Sequence, residues 1–232
     1  MNLSEYRTRI ARVTGMSTAA AGDLSLMDSW VNEGVVQFLR ETKYNVRRSA
    51  LAVTAGQGDY SLDTDILALQ AVYYQPTGAD KRLLQPVTPE RMMELRLPNQ
   101  SGYSTVQNYA MAGGNMIMLW ASAPASTDTL HILYVPRPAV MSVTSDSPSD
   151  TAKGNIPAEY HPVIEAYAKW KAASAEEHKG SDNGLQFQAE WERAIAKVRG
   201  EMFRKAGGVQ PAVRIGRGSP FVPPGNGVDM GY

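Results

Sequence analysis

The chain has 232 residues, enough for one large domain or two small ones. At 43% hydrophobic and 20% charged it can build a core, which excludes wholesale disorder. Lys and Arg number 23 and Asp and Glu 23, so the formal net charge is zero; non-specific coating of nucleic acid needs a cationic excess that this chain lacks. There are no cysteines, which excludes disulfide scaffolds, thiolate zinc sites, iron–sulfur clusters and thiol nucleophiles.

Residues 2–14 read as a helix, because Leu3, Tyr6, Ile10 and Val13 recur at spacings of three and four, and Gly15 stops it. Met1 to Val13 carries Glu5, Arg7, Arg9 and Arg12, unlike the apolar core of a secretion signal, and no apolar run approaches the ~20 residues that span a bilayer. A soluble protein made in a reducing cytoplasm, with no membrane partner, is expected. A linker of small residues then leads to a second helix, 24–43, with Met27, Trp30, Val31, Val35, Phe38 and Leu39 along it. Gly34 sits mid-pattern, where it costs roughly 1 kcal/mol against Ala; its expected gain is the close approach of a neighbouring element.

From Tyr44 the period changes. Val46, Arg48, Ala50 and Ala52 alternate as in a strand, Ala55 to Gly58 is a turn, and Asp59 to Leu62 and Ile66 to Gln75 are extended. Thr88-Pro89-Glu90 opens a short helix with Met92, Met93 and Leu95 on its apolar side, ended by Pro98. Gln107 to Ala112, Asn115 to Ala121 and Thr129 to Val135 read as three strands, the first two joined at Gly113-Gly114. The β region, about 44–136, is expected to be an antiparallel meander or small sandwich. Residues 137–156, rich in Ser, Asp, Thr and Pro, read as a long surface loop. Helices 157–179 and 183–206 are expected to form an antiparallel hairpin, each helix roughly 30 Å long. The fold class is therefore α+β: one body, 1–206, in which helices from both ends form a bundle around an inserted β region.

Residues 207–232 form an extended C-terminal arm. Seven of these 26 residues are Gly and four are Pro, which no regular helix tolerates. The arm also holds eight sizeable apolar residues and three charges, for which a solvated linker has no use. A partner-binding role is assigned to Val209, Val213, Arg214, Ile215, Arg217, Phe221, Val222, Met230 and Tyr232, an extended segment adding to a sheet edge or lying in a groove.

Signals for catalysis are weak. There is no GxxxxGK[ST] loop and no GxSxG elbow. His131 reads as a cross-strand partner, His161 as a capping or surface residue, and His178 as a helix-end residue. His161 and Glu165 share a helical face, but two ligands do not make a metal centre. Asp59, Asp63 and Asp65 cluster as an oxygen-ligand site would want, though the glycine and closing glutamate of an EF-hand loop are missing; turn aspartates flanking a strand explain them as well. The aromatic residues Tyr160, Tyr167, Trp170, Trp191 and Phe203 read as core rather than as a base-stacking platform. No cofactor and no enzymatic activity are expected. The alternative from a different class is a metal-dependent hydrolase using the three aspartates.

The layout as a whole resembles the head-to-tail connector (adaptor) proteins of tailed bacteriophages. The resemblance is carried by Trp30, Asn32 and Phe38 in the early helix, by Gly58-Asp59-Tyr60-Ser61-Leu62 leading into Asp65-Ile66, and by the hairpin Tyr109 to Leu119 followed by Leu130 to Pro138. It continues through Ile156-Pro157-Ala158-Glu159-Tyr160-His161, which opens an Ala-rich helix, and the helix that begins Phe187-Gln188-Ala189-Glu190-Trp191. Where such proteins often have Leu-Pro before the aspartate, this chain has Leu62-Asp63-Thr64-Asp65. The resemblance implies a structural virion protein, assembled in the host cytoplasm into a ring, commonly of twelve copies, at the head-tail junction. It implies a portal ring as partner above, a tail or nozzle protein below, and double-stranded DNA passing through the channel without specific binding. A tail-tube or nozzle component is the alternative within the same class.

Overall fold

The structure, a computed structural model, describes residues 1–54, 56–62, 66–96, 106–113, 115–119, 128–175 and 183–205. Helix α1 (Leu3–Thr14) starts from a reciprocal cap: Glu5 N donates to Asn2 Oδ1 at 3.0 Å and Asn2 N donates to Glu5 Oε2 at 3.2 Å. It buries Leu3, Tyr6 and Ile10 and ends where Gly15 takes the left-handed φ of 75°. Helix α2 (Ala21–Thr42) begins three residues earlier than the apolar pattern predicts. Ser17 Oγ accepts from Ala19 N and Ala20 N, and Asp23 Oδ2 accepts from Ser17 N at 2.6 Å, so polar bonds among small residues set this start.

The β region is two four-stranded sheets laid face to face. One has the order β1 (Arg47–Ala52), β8 (Thr129–Pro136), β3 (Ile66–Gln75), β4 (Arg82–Leu83). The other has the order β2 (Asp59–Ser61), β7 (Met116–Leu119), β6 (Asn108–Ala112), β5 (Gln85–Pro86). Every pairing is antiparallel except β5 with β6, which is parallel. The chain crosses between sheets at Leu84, whose N donates to Val72 O at 2.8 Å while its side chain fills the sandwich core. That core joins Val72, Leu130 and Ile132 of the first sheet to Tyr60, Ile117 and Leu119 of the second. Helix α3 (Pro89–Leu95), capped by Thr88, lays Met92 on Ala110 and Met118. Strand β1 departs from the half-buried pattern its alternation suggests: apart from Leu51 its residues are exposed, because it is the outer strand of its sheet.

Residues 137–156 contain neither helix nor strand, as expected, yet they are no mere surface loop. Met141 and Ile156 are buried in the helical core. Asn32 holds both backbone groups of Met141, accepting from its N at 2.8 Å and donating to its O at 3.1 Å. Leu3 N and Ser4 N, orphan donors of the first turn of α1, bond to Asp146 O and Thr144 O. The segment is a belt that closes the N-terminal end of the helical core.

A single 3₁₀ turn (Ala158–Tyr160) precedes helix α4 (His161–Ser174), and helix α5 (Asn183–Lys205) follows. They run antiparallel: Gly184 lies beside Ser174, Trp191 beside Trp170, and Lys205 beside Tyr160. At 1.5 Å per residue α4 is about 21 Å long, shorter than the predicted 30 Å, and α5 about 35 Å. The helical core joins α1, α2, α4 and α5 through Tyr6, Phe38, Ile164 and Val198, so helices from both ends of the chain pack together around the inserted strands. Among the described residues no helix is long and apolar enough to cross a membrane.

Candidate interaction surface

The arm residues Val209, Val213, Arg214, Ile215, Arg217, Phe221, Val222, Met230 and Tyr232 lie outside the described residues, as do Asp63, Asp65 and His178. Asp59 accepts from Arg96 Nη2 at 2.7 Å, and the same guanidinium donates to Gly58 O and Leu119 O. This ties α3 to the second sheet, a structural use for that aspartate. Among the described residues no three His, Asp or Glu side chains gather as a metal site requires.

The histidines divide. His131 is the cross-strand partner its position suggests: Nδ1 lies 2.9 Å from Arg48 Nη2 across β1, and Nε2 lies 2.7 Å from Gln75 Oε1 on β3. Burial, then the charges of Arg48 and Lys81, hold its pKa below the ordinary value. His161 is not the surface residue expected, being 1% exposed. Its Nδ1 lies 2.7 Å from Met1 N, and its Nε2 lies 3.2 Å from Ile156 O and 3.0 Å from Ser149 Oγ. This network assigns the neutral Nε2–H tautomer. Burial, then the neighbouring amino group, lowers its pKa. Glu165, one turn on, is buried between Arg9 Nη1 at 2.9 Å and Lys169 Nζ at 2.6 Å. The shared face of His161 and Glu165 is thus occupied by structural partners; Lys169 lies one turn from Glu165, but Met1 and Arg9 are remote in sequence.

Four of the five helical aromatics pack as expected. Trp170 and Trp191 stack with centroids 5.6 Å apart, and Tyr167 meets both edge-on. Tyr167 Oη donates to Glu33 Oε1 at 2.6 Å, and Lys171 Nζ lies 2.9 Å from the same oxygen. Burial opposes the charge of Glu33, but these two partners outweigh it and keep the carboxyl below its usual range. Phe203 is the exception. It stands 44% exposed in the last turn of α5.

Phe203 forms one wall of an open groove of about 770 Å³ between the C-terminal ends of α2 and α5. Tyr44, Tyr160 and Pro157 line it together with Met202 and the 44%-exposed Val46. The chain leaves α2 through left-handed φ values at Lys43 (52°) and Asn45 (60°), which turn Tyr44 inward and Val46 outward. Beneath the groove Tyr44 meets the buried Tyr160 edge-on at 6.3 Å, and both pack on Phe38 with tilted rings. Charges rim it in pairs, Arg199 with Glu41 at 3.4 Å and Lys205 with Glu159 at 3.7 Å. Lys205 Nζ also donates to Tyr160 Oη at 3.3 Å, which with the nearby acids raises its pKa. The arm, 207–232, begins two residues beyond Lys205 in the chain, so the groove lies beside the last described turn before it. Sequence reading misses the groove because Tyr44, Pro157 and Phe203 are far apart along the chain.

A family model described as SU10 adaptor protein matches residues 1–214. No curated protein matches the chain. Among solved structures, the chain aligns with one described as "Neck of empty GTA particle computed with C6 symmetry". The alignment covers 86% of this chain and 89% of that one, at 12% identity and a TM-score of 0.30, a likeness too slight to carry an argument.

Proposed function

Since the chain belongs to the SU10 adaptor protein family, we propose that it is a structural protein of the head-to-tail junction of a virion, copies forming a ring, commonly of twelve, beneath the portal. The observation that carries this reading is the family match, which runs through every described residue and into the arm. The body, 1–206, builds the ring, and the arm, 207–232, joins it to the portal ring. The opposite face receives the tail or nozzle protein. A formal net charge of zero suits a conduit through which DNA must pass without being gripped. The arm carries Phe221 and Tyr232 as anchors among few charges, a composition that gains order by burial on a partner.

Deleting Gly207 to Tyr232 tests the arm. The expected product keeps the helical circular dichroism and cooperative melting of the whole chain and no longer joins portal-bearing heads. Head joining at the normal level by the shortened protein would reject the assignment.

A further inference from the structure

The two outer surfaces of the β sandwich are opposite in charge. On the first sheet Val72, Tyr74, Leu130 and Ile132 point into the sandwich core, so Tyr73 and His131, which alternate with them, turn to the outer face. His131 lies opposite Tyr73 in register, and Tyr73 opposite Leu83, so the three form one row across the sheet. The helical core covers this face only at Ala68 and Val135. At the far end Leu83 stands 61% exposed. Cations border the row. Arg48 Nη2 lies 2.9 Å from His131 Nδ1, and Lys81, immediately before β4, is near enough for its charge to help lower the pKa of the same imidazole. With Asp80 in the turn ahead of Lys81, the face keeps a positive excess.

On the second sheet Tyr109, Ile117 and Leu119 point into the core, and Ala110 and Met118 turn outward, where Met92 of α3 covers them. Helix α3 is therefore the opposite outer surface of the sandwich. Glu90, Met93 and Glu94 share its free side, at spacings of three and four. Met93 is 62% exposed, and Met116, paired with Ala112 on the same face of the sheet, is 39% exposed. Arg91 pairs with Glu94 at 2.7 Å, and with Glu90 besides the surface keeps a negative excess.

We propose that the α3 surface of one copy docks on the Leu83 face of the next, Met93 against Leu83 and Tyr73, with Glu90 and Glu94 towards Lys81 and Arg48. The proposal deepens the ring reading and rests on it. The occupant is a second copy because the two surfaces match in kind: each has an exposed apolar centre, and the charges at their borders are opposite in sign. Neither suits itself, since a two-fold pairing would set like charges against each other. The contact is therefore head-to-tail. The sandwich core separates the two surfaces, so one chain cannot satisfy both within itself. A copy that accepts a neighbour on one side offers the complement on the other, as a closed ring requires.

The chain has no cysteine, so single-cysteine variants report the contact. Full-length Leu83→Cys and full-length Met93→Cys proteins are mixed in the presence of portal-bearing heads, oxidised and run on a denaturing gel. The expected result is a linked dimer from the mixture, none from either protein alone, and a ladder of higher oligomers from a chain carrying both cysteines. Adding Lys81→Glu to the Leu83→Cys protein is expected to cut the dimer yield about tenfold, and adding Glu94→Lys to the Met93→Cys partner to restore it. A dimer from either cysteine variant alone, at the yield of the mixture, overturns the head-to-tail pairing. Equal linkage to Leu185→Cys on α5, or a yield indifferent to charge reversal, overturns the surface assignment. Electron micrographs of the same samples separate the two readings. Rings at the head-tail junction without the link reject this inference alone, whereas no ring there rejects the adaptor reading with it.

Discussion

Arg7 and Asp28 meet in a two-pronged pair, Nε to Oδ1 and Nη2 to Oδ2, each 2.6 Å, with the side chains 14% and 22% exposed. The hydrogen bond to Asp28, working against burial, raises the pKa of Arg7. The geometry is the rigid fork that arginine presents to a carboxylate, and it joins α1 to α2. Asp28→Ala leaves a partly buried guanidinium without its partner, and the expected cost is about 2 kcal/mol of unfolding free energy in urea titration. Arg7→Lys keeps the charge and loses the fork, so it should fall between wild type and Asp28→Ala; a lysine variant as weak as the alanine one would show that the geometry counts for as much as the charge. None of this was legible in the sequence. Arg7 reads as one cation among several in an amphipathic helix, and its partner is set only by the crossing of two helices.

Helix α2 shows the opposite case. A glycine inside a strongly apolar helical pattern is a local cost, and local costs in a packed element point to a neighbour. An ideal Cβ built on Gly34 would stand 3.2 Å from Ile164 Cγ2, 3.2 Å from Tyr167 Cδ1 and 3.3 Å from Ile164 O. The backbone oxygen cannot retreat as a side chain does, so overpacking outweighs the gain in helix propensity. Gly34→Ala is expected to destabilise by about 1 kcal/mol, read as a lower urea midpoint with unchanged slope. A more stable variant would mean that α4 slides freely on α2. At the same scale the two-residue strands β4 and β5 escaped prediction, because a period of two has no meaning over two residues. Residues 137–156 read as surface in the sequence for a related reason. Their composition is polar, yet their role depends on two residues, Met141 and Ile156, and on the carbonyls they offer to α1.

At the scale of the whole molecule, the two histidines among the described residues, His131 and His161, are both buried, and a sensitivity to mild acid is expected from them. The folded state holds both His131 and His161 below the ordinary imidazole value of about 6.5, so the unfolded chain binds protons more readily. Their stabilising contribution is complete above about pH 6.5 and is lost as pH falls from there towards the depressed folded values. Calorimetric melting temperatures are expected to fall across that interval, before the carboxylates titrate. Combining His131→Gln with His161→Gln should flatten the decline even though the variant starts from a lower melting temperature; an unaltered slope would place the acid sensitivity elsewhere.

The order of helices, strands and helices, the stop at Gly15, the span of β3 and the apolar arm all follow from local chemistry: side-chain periodicity, capping residues and the conformational limits of glycine and proline. These signals act over a few residues and so survive in the linear chain. Pairings between remote residues do not. Which strands share a sheet, the burial of His161, the fork of Arg7 on Asp28 and the assembly of the groove from Tyr44, Pro157 and Phe203 were decided only when the chain folded. Each depends on which surfaces meet, and that is settled by the summed burial of apolar area across the molecule rather than by any one segment.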